Sequence, residues 1–163
     1  MTYFADLSDY EYHPFEPPGI KNVGWLASGH EFPKAEPTEE LLDKLWAFCS
    51  NRPRCTATRG IHPCPFCPDK DSYVAERNGE QLGLGTAEIR VFSRDGQIYA
   101  APTLIYHYVK SHNYSPPAEF IRALFQGPAA PGEEYFHRIE ELDFFVAARL
   151  KSYVEAARNQ HES

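Results

Sequence analysis

The stretch that decides the fold is Thr86–Pro102, which reads TAEIRVFSRDGQIYAAP. Its first half alternates Ala, Ile and Val with Glu, Arg and Phe, which is the period of a half-buried β-strand. Asp95-Gly96 follows, and this dipeptide is a strong signal for a tight hairpin turn. QIYAAP is then the returning strand. The stretch predicts an antiparallel hairpin, and SYVAER (72–77) with the turn residues NGE predicts a further strand before it.

Four helical patterns surround the hairpin. Thr38 is a suitable N-cap for the first, and two glutamates follow it in the first turn. Ser115 is a suitable N-cap for the third, and Gly127 is its stop signal. In the fourth, apolar residues recur at three- and four-residue steps over about five turns. The patterns cover residues 38–49, 102–112, 116–126 and 133–158.

These elements predict an α+β fold: a small antiparallel sheet between residues 73 and 101, packed by helices, with a long C-terminal helix. We expect residues 1–127 to form an α+β zinc-binding domain, with the zinc held by a cluster of cysteines and a histidine. Residues 133–158 are expected to be a helix appended to the same domain after the short linker PAAPG.

Composition restricts the function classes. The 163 residues include 16 basic and 23 acidic side chains, for a formal net charge of −7. Duplex-binding domains usually carry a basic face, so nucleic acid is a disfavoured partner. No apolar run is long enough to span a bilayer, and the first ten residues lack the features of a secretory signal. We therefore expect a cytoplasmic protein, in which clustered cysteines favour metal or redox use over disulfides.

The cluster IHPCPFC, residues 61–67, predicts a metal site. Cys64 and Cys67 form a C-x-x-C pair, whose spacing lets two thiolates reach one ion from a tight turn. His62 lies two residues earlier and can point the same way in an extended segment. Soft thiolate ligands favour zinc over magnesium or calcium.

Cys49 is the expected fourth ligand, since it lies near the end of the first predicted helix and faces the core. Cys55 is the other candidate for that position. The expected set Cys49, His62, Cys64 and Cys67 would be an ordinary Cys3His structural zinc site, which would pin the loop at residues 51–72 to the first helix.

Two other interpretations of the cysteines stay open. Buried cysteines often act only as small apolar residues, and a C-x-x-C pair can be a redox motif. Pro68, directly after Cys67, disfavours the helix that usually continues a redox motif.

A catalytic zinc would keep one coordination position open. Nucleobase deaminases combine H-x-E with P-C-x-x-C. Residues 63–67 match the second half, but upstream only His30-Glu31 is present, without the intervening residue. A zinc hydrolase or deaminase-like enzyme, with Glu31 or Glu88 as proton carrier, is therefore the alternative function.

Four other polar residues have simpler interpretations. His107 and His112 are five residues apart on a predicted helix, a spacing that does not place them on one face. His107 lies among apolar neighbours and is expected to be a core histidine. Glu88 and Arg90 share one strand face, where a surface ion pair is the expected arrangement and a cleft lining is the alternative.

The chain resembles a family of small uncharacterised bacterial proteins. The resemblance rests on YFADL, NVGWL, the TRGxHxCxFC cluster, AEIRV and the block YAAPTLIYHYVKSHNYSPPAEFIRAL. It covers roughly residues 1–126 and implies a bacterial cytosolic protein in which Cys49, His62, Cys64 and Cys67 are the shared metal-like positions. The resemblance implies no activity.

The favoured function is a non-catalytic protein-interaction or regulatory protein with a structural zinc, of which an immunity-type protein is one form. Its partner is expected to be another protein, and the C-terminal helix offers a surface for a homo-oligomer or a larger assembly. The acidic net charge would suit a basic partner.

Overall fold

The computed structural model describes residues 2–50, 61–69 and 74–161. Within them the chain forms five strands and four helices, so the predicted α+β class is confirmed. The elements follow in the order β1 (Lys21–Asn22), α1 (Glu39–Ser50), β2 (Val74–Arg77), β3 (Glu80–Gly83), β4 (Glu88–Phe92), β5 (Ile98–Pro102), α2 (Ile105–His112), α3 (Ala118–Gln126) and α4 (Glu133–His161).

The hairpin β4–β5 is the centre of the fold. The two strands pair antiparallel, with Arg90 opposite Ala100, and Gly96 supplies the left-handed conformation that the turn requires. The short strand β1 adds to the outer edge of β5 in parallel, which gives the order β1-β5-β4. The strands β2 and β3 form a separate antiparallel hairpin, so the described residues build two small sheets.

Strand β4 is buried on both faces, whereas its alternation predicted a half-buried strand. Helices α1 and α3 pack against it, and Ile89 and Val91 belong to the main apolar core. The other face is covered by the N-terminal segment and by α4, which bring Tyr10 and Leu142 to the sheet. The polar residues of this second face are therefore enclosed.

The helix boundaries follow the capping signals in part. The Thr38 hydroxyl accepts a hydrogen bond from the Leu41 amide, as expected for an N-cap. Helix α2 begins three residues later than predicted, because Pro102 pairs with Glu88 as the last residue of β5. Helix α3 begins after Pro117 and has no side-chain cap from Ser115. Helix α4 covers the whole predicted range and extends to His161.

Helix α2 is the rigid platform beside which the site forms. Its residues Ile105, Tyr106, Tyr108 and Val109 are buried in the core. Just after the helix, the Tyr114 hydroxyl donates to the Asp6 carboxylate at 2.8 Å, which ties the N-terminal segment to the end of α2. Across the described part of the chain, none of the helices has both the length and the apolar character needed to cross a membrane.

Candidate metal centre

Two cysteines and two histidines converge at the end of α2. The Cys64 sulfur lies 3.3 Å from His112 Nε2, and the Cys67 sulfur lies 3.3 Å from His107 Nε2 and 3.4 Å from His112 Nε2. The two histidine Nε2 atoms are 3.2 Å apart. All four potential ligand atoms lie within 4.8 Å of one another, so the group could hold a metal ion.

Helix α2 supplies both histidines. His107 lies within the helix, and His112 is its last residue. Asn113 then adopts the left-handed conformation and its N–H closes the helix on the Tyr108 carbonyl. The two rings meet at 5.0 Å between centroids and 72° between planes. Because the backbone on both sides of His112 is fixed, the pair presents its Nε2 atoms in one direction.

The segment 61–69 supplies both cysteines. The Phe66 N–H donates to the Cys64 sulfur at 3.4 Å, which forms a turn that brings the two thiols toward each other. The Phe66 ring packs against His112 at 5.3 Å and against Phe32 at 5.3 Å. At the start of the segment, the His62 N–H donates to the Gly85 carbonyl at 2.9 Å. The segment is thus held both at its start and in its middle.

Burial sets the protonation of the group in the absence of an ion. Desolvation raises the pKa of the Cys64 thiol to about 11. Desolvation, with His112 and Lys110 nearby, lowers the pKa of His107 to about 4. Desolvation and then Lys34 lower the pKa of His112. Neutral imidazoles have the form that binds metals, while a buried thiol must lose its proton to do so.

The structure places the sequence-predicted ligands in three different surroundings. Cys64 and Cys67 are in the group. Cys49 is fully buried in the apolar core, where its thiol donates to the Thr103 carbonyl at 3.6 Å. His62 lines a cavity beside β4. Within the described ranges, the structure therefore brings neither Cys49 nor His62 into the group of four, and Cys55 lies outside those ranges.

Sequence reasoning missed His107 and His112 as partners of the cysteines. Their five-residue spacing argued against a shared face, but His112 is at the helix end, where its ring can swing toward His107. A signal was present, since both histidines fall in the block YAAPTLIYHYVKSHNYSPP that carried the family resemblance. The expected pinning of the loop at residues 51–72 to α1 falls largely outside the described ranges, and the described part, 61–69, contacts α2.

A second polar cluster lies on the enclosed face of β4. Arg90 donates to the Glu88 carboxylate at 2.8 Å and forms an ion pair with Glu16 at 2.5 Å. The Tyr10 hydroxyl donates to Glu88 at 2.7 Å. Burial disfavours the charged guanidinium, but Glu88, Tyr10 and Glu16 outweigh burial and raise the pKa of Arg90 above its usual value. The expected surface ion pair is thus a buried network with two carboxylates.

The fold and the site define an α+β protein with a Cys2His2 group that could hold a metal ion. The chain belongs to the family described as "Domain of unknown function (DUF7919)", whose family model matches residues 2–125. The match includes the whole Cys2His2 group and ends in α3, so α4 lies outside it. Comparisons with curated proteins and with solved structures found no match.

Proposed function

We propose that the protein binds one zinc ion through Cys64, Cys67, His107 and His112, and that this zinc is structural. On this proposal the ion pins the segment 61–69 to α2, and the protein acts as a non-catalytic interaction or regulatory protein. The observation that carries the proposal is the convergence of four soft ligand atoms from two separate parts of the chain.

The spacing of the ligand atoms supports zinc. Zinc is bound at about 2.3 Å by cysteine sulfur and about 2.0–2.1 Å by histidine nitrogen. A regular tetrahedron with these bond lengths requires ligand atoms roughly 3.3 to 3.8 Å apart. Four of the six separations within the group are close to these edges: the sulfur–nitrogen distances of 3.3, 3.3 and 3.4 Å and the nitrogen–nitrogen distance of 3.2 Å. All six are within 4.8 Å.

The ligand count supports a structural role over a catalytic one. Four protein ligands fill a tetrahedral coordination sphere, whereas a catalytic zinc keeps one position for water or substrate. The deaminase-like alternative also needs a carboxylate beside the ion. Its two candidates lie elsewhere: Glu88 is in the buried network with Arg90, and Glu31 lines a surface cavity that none of the four ligand residues lines.

The experiment measures bound metal in the purified protein and its thermal unfolding with and without a chelator. We expect about one zinc per chain and a lower Tm after chelation, because the binding free energy of a structural zinc contributes to folding. Cys67→Ser should lose the metal. Cys49→Ser is the matched control, since its thiol lies in the core, and this variant should retain the metal.

Two results would contradict the proposal. One is a wild-type protein that carries no zinc and is not stabilised when zinc is added. The other is a Cys49→Ser variant that loses zinc, which would point back to the ligand set expected from the sequence, since Cys49 belongs to that set and not to the Cys2His2 group. If the absorption spectrum of the cobalt-substituted protein is not that of a tetrahedral site, the structural role of the zinc is contradicted, but the binding of zinc is not.

The interaction role has a candidate surface on α4. The first turns of this helix bury Tyr135, Ile139 and Leu142 against the core. Away from that face, Phe136 is 42% exposed and Phe144, eight residues later, is 77% exposed. Exposed aromatic residues grouped on one element often mark interaction surfaces.

We infer that a second copy of the chain covers this surface, because the charges of α4 are divided along its length. Residues 133–143 contain five carboxylates and one arginine, and residues 144–161 contain three lysine or arginine residues and one glutamate. Antiparallel pairing of two copies would place the acidic part of each helix beside the basic part of the other.

Molar mass by light scattering after size-exclusion chromatography tests the dimer. We expect a dimer for the wild type and a shift to monomer for Phe144→Ser. Phe125→Ser is the control, since Phe125 is also an exposed phenylalanine but lies on α3. A wild type that is monomeric at the highest attainable concentration would refute the dimer. A Phe144→Ser variant that stays dimeric would refute α4 as its interface. Neither result bears on the zinc site.

A further inference from the structure

We propose that Cys64 and Cys67 also act as a redox pair: a peroxide oxidises the two thiols to a disulfide, and this oxidation releases the zinc. The inference rests on the proposed zinc site and assigns to it a regulator, an oxidant of the peroxide class. Neither cysteine is in a disulfide in the structure, and their sulfurs belong to the group in which all ligand atoms lie within 4.8 Å of one another. The same two side chains can therefore bind one ion or bind each other.

The local backbone brings the two sulfurs close enough to join. The Phe66 N–H donates to the Cys64 sulfur at 3.4 Å, so the chain turns between the two cysteines. A disulfide bond is about 2.05 Å long, so sulfurs that start within 4.8 Å need to approach by less than about 3 Å. The residues between them, Pro65 and Phe66, lie in a turn and not in a helix or strand, so closing the bond breaks no regular element.

Exposure decides which sulfur meets the oxidant first. Cys64 is buried, with 4% of its surface exposed, whereas Cys67 is partly exposed and its neighbour Pro68 is exposed. Oxidation of a cysteine requires both access and a thiolate, and zinc binding holds both sulfurs as thiolates. Cys67 is therefore the sulfur that attacks the peroxide, and Cys64 is the sulfur that attacks the oxidised Cys67.

The oxidation proceeds in two steps, each with one bond formed and one broken. The Cys67 thiolate attacks one oxygen of hydrogen peroxide, the O–O bond breaks, and the leaving hydroxide takes a proton from solvent to become water, which leaves Cys67 as a sulfenic acid. The Cys64 thiolate then attacks the Cys67 sulfur, the S–S bond forms, the S–O bond breaks, and a second hydroxide leaves and is protonated. In sum, two thiolates lose two electrons, and one peroxide takes up two electrons and two protons to become two waters.

The disulfide removes two of the four zinc ligands, because a disulfide sulfur carries no negative charge with which to bind the ion. His107 and His112 remain, and two imidazoles do not complete the tetrahedral set of a structural zinc. The segment 61–69 keeps the contacts that need no ion, such as the hydrogen bond from the His62 N–H to the Gly85 carbonyl. Oxidation should therefore release the metal and lower the Tm to that of the chelated protein.

The experiment treats the zinc-loaded, full-length protein with excess hydrogen peroxide and follows released zinc with a chromophoric indicator. In parallel, the remaining thiols are alkylated, and trypsin digestion with mass spectrometry reads the state of each cysteine. Arg59 and Lys70 bound a single tryptic peptide, residues 60–70, which contains Cys64 and Cys67 and neither of the other two cysteines. We expect this peptide to lose two hydrogens, zinc to be released in equal amount, and zinc binding to return after dithiothreitol and zinc are added.

Cys49→Ser and Cys55→Ser are the matched controls, since each removes one cysteine outside the pair, and both variants should release zinc on oxidation as the wild type does. The proposal is overturned if zinc stays bound and residues 60–70 stay reduced, if Cys67 is oxidised beyond the sulfenic acid without forming a disulfide, or if the disulfide joins Cys64 or Cys67 to one of the other cysteines. A protein that holds no zinc before the peroxide is added contradicts the zinc site, and the mass of the peptide still tests the pairing of the two thiols.

Discussion

The sulfur of Cys67 lies 3.3 Å from Nε2 of His107, although forty residues separate them along the chain. Both hairpins, β2–β3 and β4–β5, lie between these two residues in sequence. Bringing the two residues together closes a loop of the chain that contains both hairpins. A metal bound there would bind the folded chain far more tightly than the unfolded one, which couples metal binding to stability.

Two histidine variants, His112→Ala and His62→Ala, distinguish the ligand set in the structure from the one expected from the sequence. His112→Ala removes a side chain that approaches both cysteines. We expect its zinc affinity to fall by more than about 100-fold, which exceeds the usual 10- to 100-fold effect of losing a residue that only supports a ligand. Competition against a chromophoric chelator measures the affinity.

His62→Ala is the control for that experiment, because His62 lies at the cavity beside β4. It should retain zinc affinity within about threefold, the usual spread of substitutions outside a site. If His62→Ala loses zinc and His112→Ala does not, the zinc is held by the ligands expected from the sequence and not by the Cys2His2 group.

Gly85 holds the cysteine segment against the sheet, and Gly85→Ala should disturb both stability and metal binding. A Cβ atom at this position would lie 2.4 Å from the His62 carbonyl oxygen, and the Gly85 φ of +78° disfavours other residues. We expect a loss of about 1–3 kcal/mol in the free energy of unfolding, together with weaker zinc binding. Denaturant unfolding with and without zinc measures both.

Gly83→Ala is the matched control, since a Cβ at Gly83 meets no atom within 4 Å and its φ is not positive. Equal stability of the two alanine variants would show that the contact between Gly85 and His62 does not restrain the segment.

The parts of the fold that were predictable depend on local patterns. The turn at Asp95-Gly96, the Thr38 cap and the long α4 each follow from a few neighbouring residues. The parallel addition of β1 to β5 does not, because a two-residue strand has no periodicity and its pairing joins Lys21 to the distant Tyr99. The same holds for the burial of Arg90, which needs partners from the N-terminal segment and from β4 together.

For the same reason, only the cysteine half of the Cys2His2 group was predictable from the sequence. The C-x-x-C spacing of Cys64 and Cys67 is a local signal that two thiols can meet. The choice of Cys49 rested on closeness in sequence, whereas the fold places its thiol against Thr103. The histidines come from α2, forty or more residues after the cysteines, and no local spacing rule describes an approach over that separation.

Arg90→Met should be among the most destabilising substitutions in the chain. Arg90 is buried and neutralises the carboxylates of Glu16 and Glu88, so its loss leaves buried negative charge without a partner. Removal of one partner from a buried ion pair usually costs about 3–5 kcal/mol in the free energy of unfolding. Urea denaturation at neutral pH measures the change.

Arg77→Met provides the comparison, since Arg77 also bridges two carboxylates, those of Glu39 and Asp43, but both partners are exposed. Surface pairs of this kind contribute about 0–1 kcal/mol. If the two methionine variants lose the same stability, the buried network around Arg90 contributes no more to the free energy of unfolding than surface ion pairs do.

Asp143→Asn should stabilise the protein at neutral pH and have no effect in acid. Burial and then the nearby Glu16 raise the pKa of Asp143 above its usual value, with Arg90 acting against them. A carboxyl group whose pKa is raised on folding favours the folded state below its unfolded pKa and loses that contribution as the pH rises through the folded pKa. At pH 7 the ionised Asp143 therefore opposes folding, and asparagine removes the opposition. Because the side chain is partly solvated, we expect a gain below about 1 kcal/mol.

Denaturant midpoints at pH 7 and at about pH 3, below the usual pKa of aspartate, measure this difference. Glu155→Gln, an exposed carboxylate further along α4, is the control for removing one negative charge from the helix. The gain should be present for Asp143→Asn alone and should disappear at the acidic pH. If the gain in stability persists in acid, it comes from helix propensity. If Asp143→Asn loses stability at pH 7, Arg90 stabilises the ionised Asp143 more strongly than Glu16 opposes it.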